Sequence, residues 1–340
     1  MYARHEAALD DFWGRRHNRP RLMREFHVFG RPVRLSSNDE GVLAAGDLSR
    51  QLYSTAPAAA EPPLVVQFVV RDAPIDPGPV PDDLVRHIQY SGEGYWLAMQ
   101  LGAWGHCQVD LAAGRALAVL TPQLAQQPET VSRCLLNTIF NNLFTARGLS
   151  MLHATCLWRE GRALLLMAPH NSGKSTTALR LILTGYTLVS DSQVYVARDE
   201  AGIQLMGFPV GRIKLREDML AEFPRLRPLW MTEQVREETK YTLDLRRLDP
   251  ALVHAEAIRP SAVELCLLER SDDGRTRCAP ATRTEVMEAV MVNSLHYDTA
   301  DVWKRNLAPI GPLVDRARWH HLAMGAAPEG IVETIASLWT

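Results

Sequence analysis

An α/β fold with a β-rich N-terminal module is predicted for this chain, on three observations. Short apolar runs broken by turn residues fill residues from about 25 to 122. From residue 151 the pattern changes to strand, loop, helix, strand, the unit that builds a layered α/β domain. A Gly-Lys-Ser sequence occupies the loop of that unit. The predicted organisation is a β-rich module over residues 1–127 and an α/β domain over residues 128–340.

The module is read from its punctuation. Seven of the 21 prolines fall between Pro57 and Pro81, which makes APAAAEPP and DAPIDPGPVPDD loops. Between them LVVQFVV (Leu64–Val70) reads as a buried strand. The following stretch, to about residue 120, carries Gly-Glu-Gly, Gly-Ala and Ala-Ala-Gly turns and predicts antiparallel hairpins. A helix is then expected from Pro128 to Gly148. Val131, Leu135, Ile139 and Leu143 recur every four residues, and Leu136, Phe140 and Phe144 widen the stripe, so it must pack against something.

The second half reads as strand Met151–Trp158, turn Glu160–Gly161, strand Arg162–Ala168, loop, helix Thr176–Thr184 closed by Gly185, and strand Tyr186–Ser190 running on into DSQVYVA. Residues 231–249 are highly charged and read as a solvated connector or a mobile flap. A further strand is expected at Ser261–Arg270, and helices at Thr284–Leu295 and Gly330–Trp339.

Composition sets the bounds on function. The 340 residues are 46% hydrophobic and 22% charged with a net charge of −2, so no global attraction to nucleic acid or an anionic membrane is expected. No run of eighteen apolar residues exists, which speaks against a transmembrane helix. The first twenty residues lack the apolar core of a secretory signal, and a cytoplasmic location is expected. The five cysteines are scattered and read as reduced thiols, and the adjacent pairs His106–Cys107 and His320–His321 diverge too much to clamp a metal.

The loop carries the chemistry. Ala168-Pro169-His170-Asn171-Ser172-Gly173-Lys174-Ser175 nearly matches G-x-x-x-x-G-K-[ST], between an apolar strand and an apolar helix. Backbone N–H groups at such a turn cradle phosphate oxygens, so the loop and helix start, Pro169, His170, Asn171, Ser172, Gly173, Lys174, Ser175 and Thr176, are the candidate nucleotide-binding residues, all but Pro169 with an N–H to offer. Lys174 would reach the β- and γ-phosphates of ATP and the Ser175 hydroxyl would coordinate Mg²⁺. Ala168 replaces the first glycine, a substitution without cost where φ is negative. Asp191 follows the strand beside the loop, where a carboxylate can hold Mg²⁺ or accept a hydroxyl proton, and His153 lies in the preceding strand. Arg212, Lys214 and Arg216 alternate on one strand face, which is either a solvated basic face or a contact for phosphate or an acidic substrate. Lys240 is a further candidate to fold over ATP.

Leu152–Val196 resembles the core of HPr kinase/phosphorylase and its HPr-kinase-like relatives. His153 matches the family histidine, Ser172-Gly173-Lys174-Ser175 its phosphate loop, and Asp191 the first aspartate of L-V-A-D-D. The resemblance implies Asp191 as catalytic acid/base with His153 beside it, an HPr-kinase-like P-loop core, use of ATP and Mg²⁺, and frequent assembly into oligomers. A weaker similarity extends over Phe208–Pro224 to kinases of peptide biosynthesis clusters, including those that phosphorylate the terminal serine of lasso peptides. Ser192 stands where the second aspartate belongs, and no H-L-L-E-I-R-G segment is found. These departures favour a divergent kinase acting on a hydroxyl-bearing peptide, protein or small molecule. The alternative is a nucleotide-binding regulatory or assembly protein without transfer activity.

Overall fold

The computed structural model describes residues 22–73, 75–169, 172–235, 238–294 and 299–339. The fold is α/β. Its N-terminal part opens with the hairpin β1 (Leu22–Val28) and β2 (Arg31–Ser37), then helix α1 (Glu40–Arg50) and β3 (Leu64–Val70). Strands β4 (Gln89–Glu93), β5 (Trp96–Gln100), β6 (Gly105–Asp110) and β7 (Arg115–Leu120) follow as the expected antiparallel meander. They complete a seven-stranded sheet ordered β1-β2-β3-β7-β6-β5-β4, in which β3 runs parallel to both neighbours. Alternation explains β3: Leu64, Val66, Phe68 and Val70 are buried, and the residues between are half-buried.

After a short turn of helix, α2 (Pro122–Ala125), the predicted apolar helix forms as α3 (Pro128–Val131) and α4 (Asn137–Ala146), joined by a π-helical stretch at Ser132–Leu136. Its apolar stripe is wholly buried. Phe140 and Phe144 stack at 5.7 Å and meet Tyr53 and Phe29 of the N-terminal part, while Tyr195 lies 4.7 Å from Phe29. Asn141 of α4 donates to Gln193 of the second half at 3.3 Å, so the helix touches both halves of the chain.

The predicted strand Met151–Trp158 is divided. Ser150–Leu152 (β8) pairs with β12 (Gln193–Asp199), whereas Thr155–Arg159 (β9) pairs with β10 (Arg162–Met167) and β11 (Thr187–Ser190). The break falls at His153 and Ala154 because the chain there changes sheets. A six-stranded sheet, ordered β11-β9-β10-β17-β19-β18, forms the centre, with β17 (Ala262–Arg270), β18 (Arg277–Pro280) and β19 (Ala317–Met324). Strands β10, β17 and β19 are parallel. Both faces of β10 are covered: Leu164 and Leu166 pack with helix α5 (Lys174–Ile182), and Ala163, Leu165 and Met167 pack with Val286 and Val290 of α6 (Arg283–Val292). A continuous apolar run such as RALLLM is what a parallel strand buried on two sides requires.

Strand β12 also pairs with β13 (Gly202–Phe208). Residues 231–249, expected as connector or flap, instead supply β15 (Met231–Val235) and β16 (Glu238–Asp244), which join β14 (Arg212–Arg216) in a three-stranded sheet. Leu243 and Leu245 are fully buried against Ile213 and Leu215, so apolar anchors hidden among the charges hold this segment down. Helices α7 (Ala300–Leu307), α8 (Ile310–Arg316) and α9 (Pro328–Ala336) complete the chain. The helix expected at Thr284–Leu295 is α6, and Leu295 lies outside the described residues. Among the described residues no helix is long and apolar enough to cross a membrane.

Candidate active site

The loop between β10 and α5 leaves the C-terminal end of a central parallel strand, where ligands bind in open α/β sheets. Gly173 starts α5 with φ +98°, a left-handed conformation that a side chain resists, and a Cβ there would lie 3.3 Å from the Met324 methyl. At the other end of α5, Gly185 (φ +104°) lets the Gly185 and Tyr186 N–H groups return to Ile182 and Leu181, closing the helix as its sequence indicates. Among the described residues with side chains only Phe29 and Glu160 have positive φ. Ala168 therefore replaces the usual first glycine without strain. His170 and Asn171, both predicted to contact nucleotide, lie outside the described residues.

One cleft gathers most of the predicted residues. Ser172, Gly173, Lys174, Ser175 and Thr176 from the loop and first turn of α5 line it together with His153, Asp191 and Ser192. Across from them stand Lys214, Leu215 and Arg216 of β14, Asp218 and Met219 just beyond, Lys240 of β16, and Arg270 at the end of β17. Pro169 takes part through its carbonyl, which accepts from Lys174 Nζ at 3.0 Å.

Lys174 is buried, and its ammonium also donates to the Ala168 carbonyl at 2.7 Å. Burial holds its pKa below the usual lysine value, Asp191 opposing and Lys240 reinforcing the effect. Asp191 is buried as well, immediately after β11. Its Oδ1 accepts from the Thr155 hydroxyl at 3.0 Å and its Oδ2 from the Lys214 backbone N–H at 3.2 Å. The Ser175 hydroxyl also hydrogen-bonds the carboxylate. Burial nevertheless dominates and raises the Asp191 pKa from 3.8 to about 6; the hydrogen bonds and Lys174 pull the other way. A carboxylate with that value can both ionise and take up a proton near neutrality.

His153 sits at the crossing between β8 and β9, with its backbone N–H on the Asn293 carbonyl at 2.7 Å. Of the alternating basic residues on β14, Lys214 and Arg216 line the cleft, while Ile213 and Leu215 are buried in the core, Leu215 also bordering the cleft. Arg216 Nη2 pairs with Asp218 Oδ2 at 3.2 Å. Asp218 is thus a second carboxylate at the cleft, in a place the missing second aspartate at Ser192 does not foretell. Sequence reasoning also passed over Thr155 and Arg270. Thr155 had one signal, a polar side chain in an otherwise apolar strand two residues after His153. Arg270 had another, a charge on the last residue of a strand that reads as buried.

The residues present fit a magnesium nucleotide. Ser175 and Asp191 offer hard oxygen donors, and Mg²⁺ usually takes only one or two protein oxygens besides water and phosphate. Among the described residues no group of three or more His, Cys, Asp or Glu side chains forms a separate metal cluster.

No family model and no curated protein matches this chain. Among solved structures, the Hpr(Ser) kinase/phosphatase from Coxiella burnetii aligns with a TM-score of 0.30 and 13% identity, over 56% of this chain and 95% of that one. The chemistry of the cleft accordingly rests on this chain's own residues.

Proposed function

We propose that the protein is an ATP-dependent kinase that transfers the γ-phosphoryl group to a hydroxyl on a peptide, protein or small molecule. The observation that carries this reading is the shared position of Lys174, Ser175 and Asp191. A phosphate-type loop, its lysine, its hydroxyl and a buried carboxylate of raised pKa open onto one cleft. ATP would lie along Gly173–Thr176, with the N–H groups at the start of α5 directed to its phosphates. Lys174 would leave the Ala168 and Pro169 carbonyls for the β- and γ-oxygens. Ser175 and Asp191 would hold Mg²⁺, which would supply neutralisation of phosphate charge.

Asp191 accepts the proton of the acceptor hydroxyl as the new oxygen–phosphorus bond forms, and the electrons of the broken bond leave on ADP. Thr155 and the Lys214 N–H fix the carboxylate while it does so. His153, on the same cleft, would orient the acceptor or the aspartate. Such transfers need positioning and charge neutralisation more than covalent help.

Asp191→Asn tests the reading, with ATP consumption screened against serine-bearing peptides and small hydroxyl compounds. Transfer should fall at least about 100-fold while ATP affinity stays within a few-fold. Rescue by high Mg²⁺ would leave Asp191 its metal-binding role alone and take away that of base, and an unchanged rate would remove it from the chemistry. Ser192, in place of a second carboxylate, favours a second reading, a nucleotide-binding regulator without transfer. ATP binding with no acceptor phosphorylated and no ATP consumed would select it.

A further inference from the structure

The last residue of β17 bears a charge that no described neighbour balances. Arg270 is exposed and lines the cleft with Lys174 and Asp191. Among the described residues no carboxylate pairs with it. Of the carboxylates close to it in sequence, Asp273 is engaged by the Arg277 guanidinium and the Ser271 hydroxyl.

The sheet explains its location. Strand β17 runs parallel to β10 with Leu267 opposite Met167, the last residue of β10, so Leu268–Arg270 continue past β10 alongside the start of the loop. On its other side Arg270 is opposite Met324, and the Ser271 N–H binds the Met324 carbonyl at 3.0 Å. Met324 in turn touches the start of α5: the Thr177 hydroxyl is 3.3 Å from its sulfur, and its methyl would lie 3.3 Å from a Cβ on Gly173. Arg270 is thereby tied to the phosphate-type turn through one side chain. Asp191 reaches the same cleft from β11, two strands to the other side of β10.

We infer that Arg270 is a catalytic residue whose guanidinium binds the γ-phosphoryl group across the cleft from Asp191. This rests on the nucleotide reading above. The loop N–H groups and Lys174 would serve the β-phosphate and one side of the γ-phosphate. The space between the loop and Asp191 is where the terminal phosphoryl must meet the acceptor oxygen, and Arg270 faces it from the opposite flank. A guanidinium presents a planar fork of donors that matches two phosphate oxygens, and an exposed arginine with no carboxylate partner gives up little on turning to them.

The test needs no acceptor. Calorimetric titration with Mg²⁺–ATP and with Mg²⁺–ADP separates a γ-phosphate contact from a general loss of binding. Arg270→Gln and Arg270→Ala should weaken ATP binding about tenfold or more while leaving ADP affinity within about twofold. Arg270→Lys should recover part of the ATP affinity, since it restores charge without the fork. Arg270 is exposed at a strand end, so the variants should keep the wild-type unfolding midpoint. Equal loss for ATP and ADP, or no loss for either, would overturn the assignment and leave the kinase reading intact. Wild-type protein that binds neither nucleotide would overturn both.

Discussion

The Thr155 hydroxyl donates to Asp191 Oδ1 at 3.0 Å, and both residues are buried. Thr155 comes from β9 and Asp191 from the end of β11, so the bond links adjacent strands of the central sheet. It satisfies one oxygen of a carboxylate that burial would otherwise leave costly, and Lys214 N–H serves the other.

Replacing Thr155 with valine keeps the shape and deletes the donor. The charged carboxylate then loses a hydrogen bond typically worth about 1.5–3 kcal/mol. Thr155→Val should lower stability by roughly that amount at pH 8 and by less near pH 4, where Asp191 is protonated; Thr155→Ser should restore most of it. Chemical denaturation at the two pH values checks this. An equal loss at both would mean the hydroxyl matters for packing alone.

The raised pKa of Asp191 has a thermodynamic consequence for the ligand-free protein. Between 3.8 and about 6 the native state binds more protons at this site than the unfolded chain, so stability falls as pH rises through that window. The rise from 3.8 to about 6 corresponds to about 3 kcal/mol. Asp191→Asn should therefore stabilise the protein by about 1–3 kcal/mol at pH 8, and the gain should shrink toward zero as pH approaches 4. Thermal unfolding across pH without nucleotide or metal measures it. A destabilised mutant at pH 8 would contradict the origin assigned to the shift.

Lys174 is half engaged before any ligand arrives, through the carbonyls of Ala168 and Pro169. Lys174→Ala should weaken ATP binding by about tenfold or more and abolish transfer, because in the proposed reading its charge meets the β- and γ-phosphates. It also removes two internal hydrogen bonds, at a cost of about 1–3 kcal/mol. Lys174→Met, which keeps the stem, separates packing from charge. Nucleotide affinity unchanged in a folded Lys174→Met protein would remove the loop from nucleotide binding.

The sequence by itself determined the local unit around the loop. Met-Ala-Pro at the end of an apolar run, Gly173 before Lys174, the stripe of α5 and Gly185 at its close all act within a few residues. Propensity, capping and burial are therefore readable there without knowing the rest of the chain. The strand Leu64–Val70 and the hairpins of the N-terminal part were legible for the same reason.

Tertiary structure decided what stands opposite that loop. Residues 151–158 read as one strand, yet they pair into two sheets, and pairing partners are not written in the period of a strand. Residues 231–249 read as solvated, yet Leu243 and Leu245 bury against β14 and carry Lys240 to the cleft. Strand β19, with two histidines among its residues, shows little alternation, and its place between β17 and β18 sets Met324 against Gly173. The cleft draws Asp191, Lys214, Lys240 and Arg270 from positions far apart in the chain. Only long-range strand pairing brings such residues together, because the hydrophobic faces that drive it are non-directional and name no partner.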